Sequence, residues 1–209
     1  MEEILDKYPL LKYQNVSRET CVDFEKFIIQ LKRNNEEINL ISKENSQDNT
    51  IRERHIVDSA QSIDFVDFNS NIVTDIGSGG GFPGIIVSIL IKNLKKNIKV
   101  NLYEKSNQKS VFLRKIYREL KLETEVIQKN IFEIKNIKSG TIMARAFKPL
   151  PIVLDLVYKN FNNYKNLILF MGKNSEKILE DTLKIWDFDF EKKKKYHKSR
   201  FIFIKHKKY

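Results

Sequence analysis

The fold turns on one stretch, Asp75-Ile76-Gly77-Ser78-Gly79-Gly80-Gly81-Phe82-Pro83-Gly84. Five of the chain's seven glycines fall in its last eight residues. Just before the glycines, Ile72–Ile76 is a short apolar run with the character of a buried strand. Beyond them, Pro83–Lys92 is apolar and long enough for a helix, and Pro83 suits its first turn. Glycines between a strand and a helix allow positive φ and leave no Cβ in the way, so a ligand can approach the main chain. A tight turn without a ligand needs only one or two of them. A P-loop ends in Gly-Lys-Ser/Thr, whereas Phe82-Pro83-Gly84 stands here, which excludes it. The dinucleotide pattern Gly-x-Gly-x-x-Gly is met by Gly79, Gly81 and Gly84, but in so glycine-rich a run the match carries little weight.

Outward from this loop the pattern alternates. Lys99–Tyr103, Glu123–Gln128, Thr141–Ala146 and Asn166–Met171 read as strands. Asn107–Leu120, Leu150–Tyr158 and Ser175–Leu183 read as helices, the first with Val111, Phe112, Ile116 and Leu120 as its buried stripe. That order predicts an α/β fold with a mostly parallel sheet covered on both faces. Trp186–Lys194 and Arg200–Lys205 alternate in polarity and read as a terminal hairpin. Upstream the chain is helical. Ser17 suits the cap of a helix from Arg18 that buries Phe24, Phe27, Ile28 and Leu31, and Asn34, Asn35 and Asn39 loosen the chain after it. A second helix is expected over Asn49–Phe65, with Ile51, Ile56, Ala60 and Ile63 inward, and Asp67–Asn71 is a polar break. The expected organisation is a helical extension over 1–70 and an α/β domain over 71–209.

Composition bounds the function. The chain has 209 residues, 41% hydrophobic and 31% charged, an ordinary globular balance. One cysteine, Cys21, leaves no internal disulfide or cysteine-rich zinc site, and three scattered histidines argue against a histidine metal site. The longest strongly apolar run, Gly84–Ile91, is far short of the roughly 20 residues of a membrane helix. The acidic start, Met1-Glu2-Glu3, is unlike a signal peptide, so the cytoplasm is expected. The net charge of +11 is uneven, with −5 over residues 1–70 and +16 over 71–209. A basic body suits a polyanion, nucleic acid first, although lysine-rich compositional drift gives the same balance.

A third pattern in the loop, Asp/Glu-x-Gly-x-Gly-x-Gly, is met by Asp75, Gly77, Gly79 and Gly81. It resembles motif I of the class I S-adenosylmethionine (SAM) methyltransferases, whose loop packs against the amino-acid part of the cofactor. Glu104 ends the next strand, 23 residues beyond Gly81, where a carboxylate can accept both hydroxyls of a ribose. NAD and SAM both carry a ribose, and it is the terminal hairpin that favours SAM. Further segments are Asn39-Leu40-Ile41-Ser42, Arg54-His55-Ile56-Val57-Asp58-Ser59, Lys109-x-x-Phe112-Leu113 and Arg145-Ala146-Phe147. With them, the chain from about Phe24 to Lys205 resembles the glucose-inhibited division protein B family, bacterial methyltransferases of guanine N7 in 16S rRNA.

The resemblance implies a Rossmann-like class I SAM-dependent methyltransferase fold with a seven-stranded sheet and an antiparallel C-terminal hairpin. It implies SAM as cofactor, held by Asp75, Gly77, Gly79, Gly81, Phe82, Glu104, Ile131, Phe132 and Arg145. Arg145 is the one catalytic candidate, bonding to guanine O6 or to the SAM carboxylate; its structural alternative is an ion pair with Asp75 or Asp155. Arg54, His55, Lys148, Lys173 and Arg200 are the implied RNA contacts. Asp58, one turn from Arg54 and His55, suits a local salt bridge. No metal is implied. The implied partner is 16S rRNA, the 30S subunit or an assembly intermediate, met by a monomer. Two departures stand out: Gly172-Lys173 where the family has Lys-Gly, and Arg200-Phe201 where it often has Arg-His. Other readings are a different RNA base or substrate for the same cofactor, a nucleic-acid-binding module with a decayed loop, and an NAD-linked oxidoreductase.

Overall fold

The computed structural model describes residues 4–9, 11, 16–172, 175–193 and 200–205. Helix α1 spans Arg18–Ile38, and the Ser17 side chain accepts the Thr20 amide at its start. It runs straight through Asn34 and Asn35, where the sequence suggested loosening. Asn34 bonds back to the Gln30 carbonyl, and the Asn35 side chain accepts the Ile41 amide, so both asparagines support the turn. The helix stops at Asn39, which adopts a left-handed φ of 51° as its cap.

The expected helix over Asn49–Phe65 is in fact four pieces: α2 (Asp48–Thr50), a π-helical stretch (Ile51–Val57), α3 (Asp58–Ala60) and a 3-10 turn (Gln61–Phe65). Ile51, Ile56, Ala60 and Ile63 are buried as expected. Arg52 donates Nε and Nη2 to the two Glu25 oxygens at 2.8 and 2.7 Å, and the Tyr8 hydroxyl donates to Glu25 at 2.7 Å. This bidentate pair fixes the π-helical stretch to α1.

Among the described residues nine strands follow, interleaved with four α-helices: β1 (Ile72–Ile76), α4 (Gly84–Asn93), β2 (Lys99–Tyr103), α5 (Asn107–Glu119), β3 (Thr124–Ile127), β4 (Ile137–Lys138), β5 (Thr141–Arg145), α6 (Leu150–Asn160), β6 (Phe161–Asn162), β7 (Asn166–Met171), α7 (Ser175–Leu183), β8 (Phe190–Lys193) and β9 (Arg200–Lys205). The main sheet has seven strands in the order β3-β2-β1-β5-β7-β9-β8. The first five are parallel, and β9 and β8 close the sheet as an antiparallel pair. The hairpin is therefore present, but its first arm starts at Phe190 rather than Trp186. The minor pair β4–β6 was not legible in the sequence, because two residues carry no periodicity.

The sheet has two buried faces. One packs Val73, Val100, Leu102 and Met143 against α4 and α5, and also against Phe24, Phe27, Leu31 and Ile56 from the N-terminal helices. The other packs Ile142, Leu167, Leu169 and Ile204 against Leu150, Val153, Val157 and Leu179 of α6 and α7. The buried apolar residues of α5 and its C-cap are Phe112, Leu113, Ile116 and Leu120, and Val111 is 55% exposed, a correction to the expected stripe. At 100° per residue, Val111 lies on the opposite side of the helix from the centre of the other four.

Candidate functional site

Strand order reverses at β1, which has β2 on one side and β5 on the other. In open α/β sheets the crevice at such a switch, beyond the carboxyl ends of the strands, is where ligands bind. A cavity of about 650 Å³ opens there. Its walls come from Gly77–Gly80 and Phe82 after β1, Tyr103–Lys105 at the end of β2, Lys129–Phe132 after β3 and Arg145–Lys148 at the end of β5, with Leu40–Ser42 from the loop after α1 and His55 from the π-helical stretch.

The glycine loop is shaped for close approach. Gly77 has φ of 70°, and a Cβ there would collide with the Phe147 ring. A Cβ at Gly84 would meet Leu102 and the Asp75 carboxyl. The Gly77 and Ser78 amides both donate to the Tyr103 carbonyl, at 2.9 and 3.1 Å, which ties the loop to the end of β2. Glu104 completes the tie: Oε2 accepts the Gly79 amide at 2.9 Å and Oε1 the Ser106 amide at 2.8 Å. An ionised carboxylate has about four lone-pair positions, so Glu104 keeps acceptor capacity toward the cavity after both bonds. Lys105 makes no ion pair with it among the described residues.

Asp75 sits elsewhere than its motif suggests. It is fully buried and outside the cavity lining, and its Oδ2 accepts the Gly84 amide at 3.1 Å, at the first residue of α4. Burial pushes its carboxyl up to about 7, the Gly84 bond and Arg145 oppose that, and the nearby Glu104 adds to it. Gly81 also lies outside the lining. Its role is conformational, with φ of 96°.

Arg145 leaves the end of β5 and lines the cavity. Its partners are neither Asp75 nor Asp155. Nη2 donates to the Arg54 carbonyl at 2.6 Å and lies 3.9 Å from Asp58 Oδ2, and the guanidinium sits over the Phe170 ring, 5.6 Å from its centroid. Burial lowers the Arg145 pKa, while Asp58 and Asp75 raise it. Asp58 thus has a cation partner across the fold. The Arg54 side chain is exposed and outside the lining, while its carbonyl receives the Arg145 bond.

His55 is brought into the cavity wall by the π-helical stretch, its ring 4.8 Å from that of Phe82. Both ring nitrogens are buried without a hydrogen-bond partner among the described residues. Burial, then the cations of Arg145 and Arg54, depress its pKa to about 3. What it offers at neutral pH is an uncharged donor and acceptor. Across the cavity, Ile131 is buried and Phe132 half-exposed, and the Phe132 and Phe147 rings stack at 5.9 Å. Lys148 is at the rim and exposed. Lys173 and the Arg200 side chain lie outside the described residues. Sequence reasoning gave no role to Leu40–Ser42, Lys105, Lys109, Lys129, Asn130 or Phe147; Leu40–Ser42, Lys109 and Phe147 stood inside the quoted segments, and Lys105, Lys129 and Asn130 carried no motif. Among the described residues no group of three or more His, Cys, Asp or Glu could hold a metal ion.

A family model described as GidB, rRNA small subunit methyltransferase G, matches residues 20–202. The ribosomal RNA small subunit methyltransferase G of Pelagibacter ubique (strain HTCC1062) is 68% identical over 194 residues, covering 93% of this chain and 91% of that protein. Among solved structures, a SAM-dependent O-methyltransferase from Thermotoga maritima superposes with a TM-score of 0.52 at 15% identity, covering 71% of this chain and 64% of that one. An RNA methyltransferase from Salinibacter ruber, in complex with S-adenosyl-L-homocysteine, does so with 0.52 at 13% identity, covering 70% and 86%. At such identities the two structures show the fold.

Proposed function

The chain belongs to the GidB family, rRNA small subunit methyltransferase G, and from that premise we propose that it transfers a methyl group from SAM to N7 of a guanosine in 16S rRNA. The observation that carries the cofactor reading is the position of Asp75. A dinucleotide loop places pyrophosphate at the N-terminus of the helix that follows, where free amides and the helix dipole attract it. Here the Asp75 carboxylate already takes the Gly84 amide at that end. The loop is left to receive the uncharged and zwitterionic parts of SAM, with Glu104 facing its ribose. The cavity volume lies in the usual range for small-molecule sites, roughly 300–1,000 Å³.

Gly77, Gly79, Phe82, Glu104, Ile131, Phe132 and Arg145 are the residues that would hold SAM in this reading. Asp75 and Gly81 act through the loop they shape. SAM supplies an electrophilic methyl on a sulfonium. Guanine N7 has a free lone pair at neutral pH, so nothing must be deprotonated before attack. The chain's task is then alignment and exclusion of water. Arg145 braces the His55 segment through the Arg54 carbonyl, and the remaining faces of its guanidinium line the cavity, where guanine O6 or the SAM carboxylate can meet them. Occupying N7 itself would block the reaction. His55 presents an uncharged imidazole to the same space. Lys148, with Lys173 and Arg200, belongs to the RNA side. The partner is the 30S subunit, 16S rRNA or an assembly intermediate, met by a monomer in the cytoplasm. No helix among the described residues is long and apolar enough to cross a membrane.

Calorimetry tests the cofactor site. Wild type is expected to bind SAM and S-adenosyl-L-homocysteine at one site and to give no signal with NAD. Gly77→Asp, which sets a charged side chain against Phe147 at a left-handed φ, is expected to stay folded by circular dichroism and lose SAM binding. Unchanged affinity in that variant, or tight NAD binding by wild type, would overturn the reading.

A further inference from the structure

Four lysines surround the mouth of the cavity. Lys105 follows β2, Lys109 stands in the first turn of α5, Lys129 follows β3 and Lys148 follows β5. Among the described residues none of the four makes an ion pair. Elsewhere Lys92, Lys99, Lys159, Lys165 and Lys184 each have a carboxylate partner, while Lys95 and Lys121 have no ion pair among the described residues but lie outside the lining, so it is the gathering at one opening that sets these four apart. Arg145 brings a fifth cation to the lining, and Glu104 is the only acid in it among the described residues. Glu104 offsets at most one of these five positive charges, so the lining keeps a clear positive excess.

The cofactor does not account for this surplus. SAM carries an ammonium, a sulfonium and a carboxylate, a net charge of +1, and gains nothing from a ring of cations. Packing does not account for it either, since Lys105, Lys129 and Lys148 are exposed and Lys109 is half-buried. Like charges gathered at one opening repel one another, and a cleft lined by one sign of charge concentrates ligands of the other. The three connections that carry these lysines all leave the carboxyl ends of parallel strands, so the charges face the same opening from different sides.

We infer that Lys105, Lys109, Lys129 and Lys148 form a phosphate-binding rim on which the sugar–phosphate backbone beside the target nucleotide rests while the base enters the cavity. The identity of the nucleic acid rests on the proposed function; the surplus of charge does not. Phosphate contacts position a substrate without reading its sequence. The rim therefore sets affinity and register, and the cavity sets which base is accepted.

Salt dependence of rRNA binding tests this. Filter binding of 16S rRNA would be followed over a KCl series for wild type, for Lys105→Gln/Lys129→Gln, and for Lys95→Gln/Lys121→Gln. The last pair removes the same charge from exposed connections at the opposite end of the sheet, before β2 and β3. The rim variant is expected to bind more weakly, and its slope of log K against log salt to fall by about 0.7–0.9 for each lysine removed. Its SAM affinity should be that of wild type, and the control should keep the wild-type slope. An unchanged slope in the rim variant, an equal fall in the control, no rRNA binding by wild type, or a parallel loss of SAM affinity would each overturn the inference. A rim-dependent slope in a protein that transfers no methyl group to rRNA would uphold the rim and defeat the proposed function instead.

Discussion

Asp75 is a buried carboxyl whose work is done on the backbone. It fixes the first amide of α4, and burial holds its pKa near 7, well above the roughly 3.9 of an unfolded chain. Between those values the folded protein keeps a proton that the unfolded chain has released. The stability Asp75 contributes is fully present below about pH 4 and is lost as pH rises through 7. Asp75→Asn keeps an acceptor for Gly84 and removes the charge. Its thermal midpoint, relative to wild type, is expected to be higher at pH 8 than at pH 5; a difference independent of pH would contradict the protonation. The motif in the sequence located Asp75 but pointed it at the ligand. Its burial, and the proximity of Glu104 and Arg145, come from tertiary packing that spacing does not encode. His55 repeats the lesson. The sequence marked it, but its depressed pKa needs Arg145, which is 90 positions away in the chain and beside it in space.

At the scale of elements, the strands and helices around the glycine loop were legible because short apolar runs bounded by glycine or polar breaks mark the strands and longer apolar or amphipathic stretches mark the helices. The N-terminal helices were legible as helices but not in their detail. A π-helical stretch over Ile51–Val57 leaves no mark in hydrophobic spacing, yet it is what turns His55 into the cavity and the Arg54 carbonyl toward Arg145. The N-terminal helices and the catalytic end of the sheet are joined by that contact. Arg145→Lys keeps the charge but loses the fork that reaches the carbonyl. It is expected to destabilise the protein by about 1–3 kcal/mol, the usual range for a hydrogen bond to a charged group or an abandoned buried acceptor. Urea unfolding measures this, and an unchanged midpoint would show that the Arg54 carbonyl finds another donor.

Over the whole molecule, the mostly parallel sheet and its antiparallel end could be read from alternation and the terminal hairpin, whereas the reversal of strand order at β1 could not, because alternation does not say which strands are neighbours. The coverage of one sheet face by the first 70 residues could not, since nothing in a helix's own pattern says which surface it will bury. We propose that residues 1–70 are a layer of the α/β domain's own core rather than a unit that folds apart from it. The charge asymmetry seen in the sequence acquires a place: acidic side chains hold the N-terminal layer together, as in the Tyr8, Glu25 and Arg52 cluster, while unpaired lysines gather at the cavity mouth. The central claim is a reaction, and methyl transfer tests it most directly. Purified protein would be incubated with labelled SAM and unmodified 30S subunits, 16S rRNA or 23S rRNA, and the RNA then treated with borohydride and aniline, which cut at N7-methylguanosine. A single cut in 16S rRNA, with none in 23S rRNA, is the predicted result. Label incorporated without cleavage would contradict N7 as the acceptor, and cofactor binding with no label in any RNA would contradict the proposed reaction.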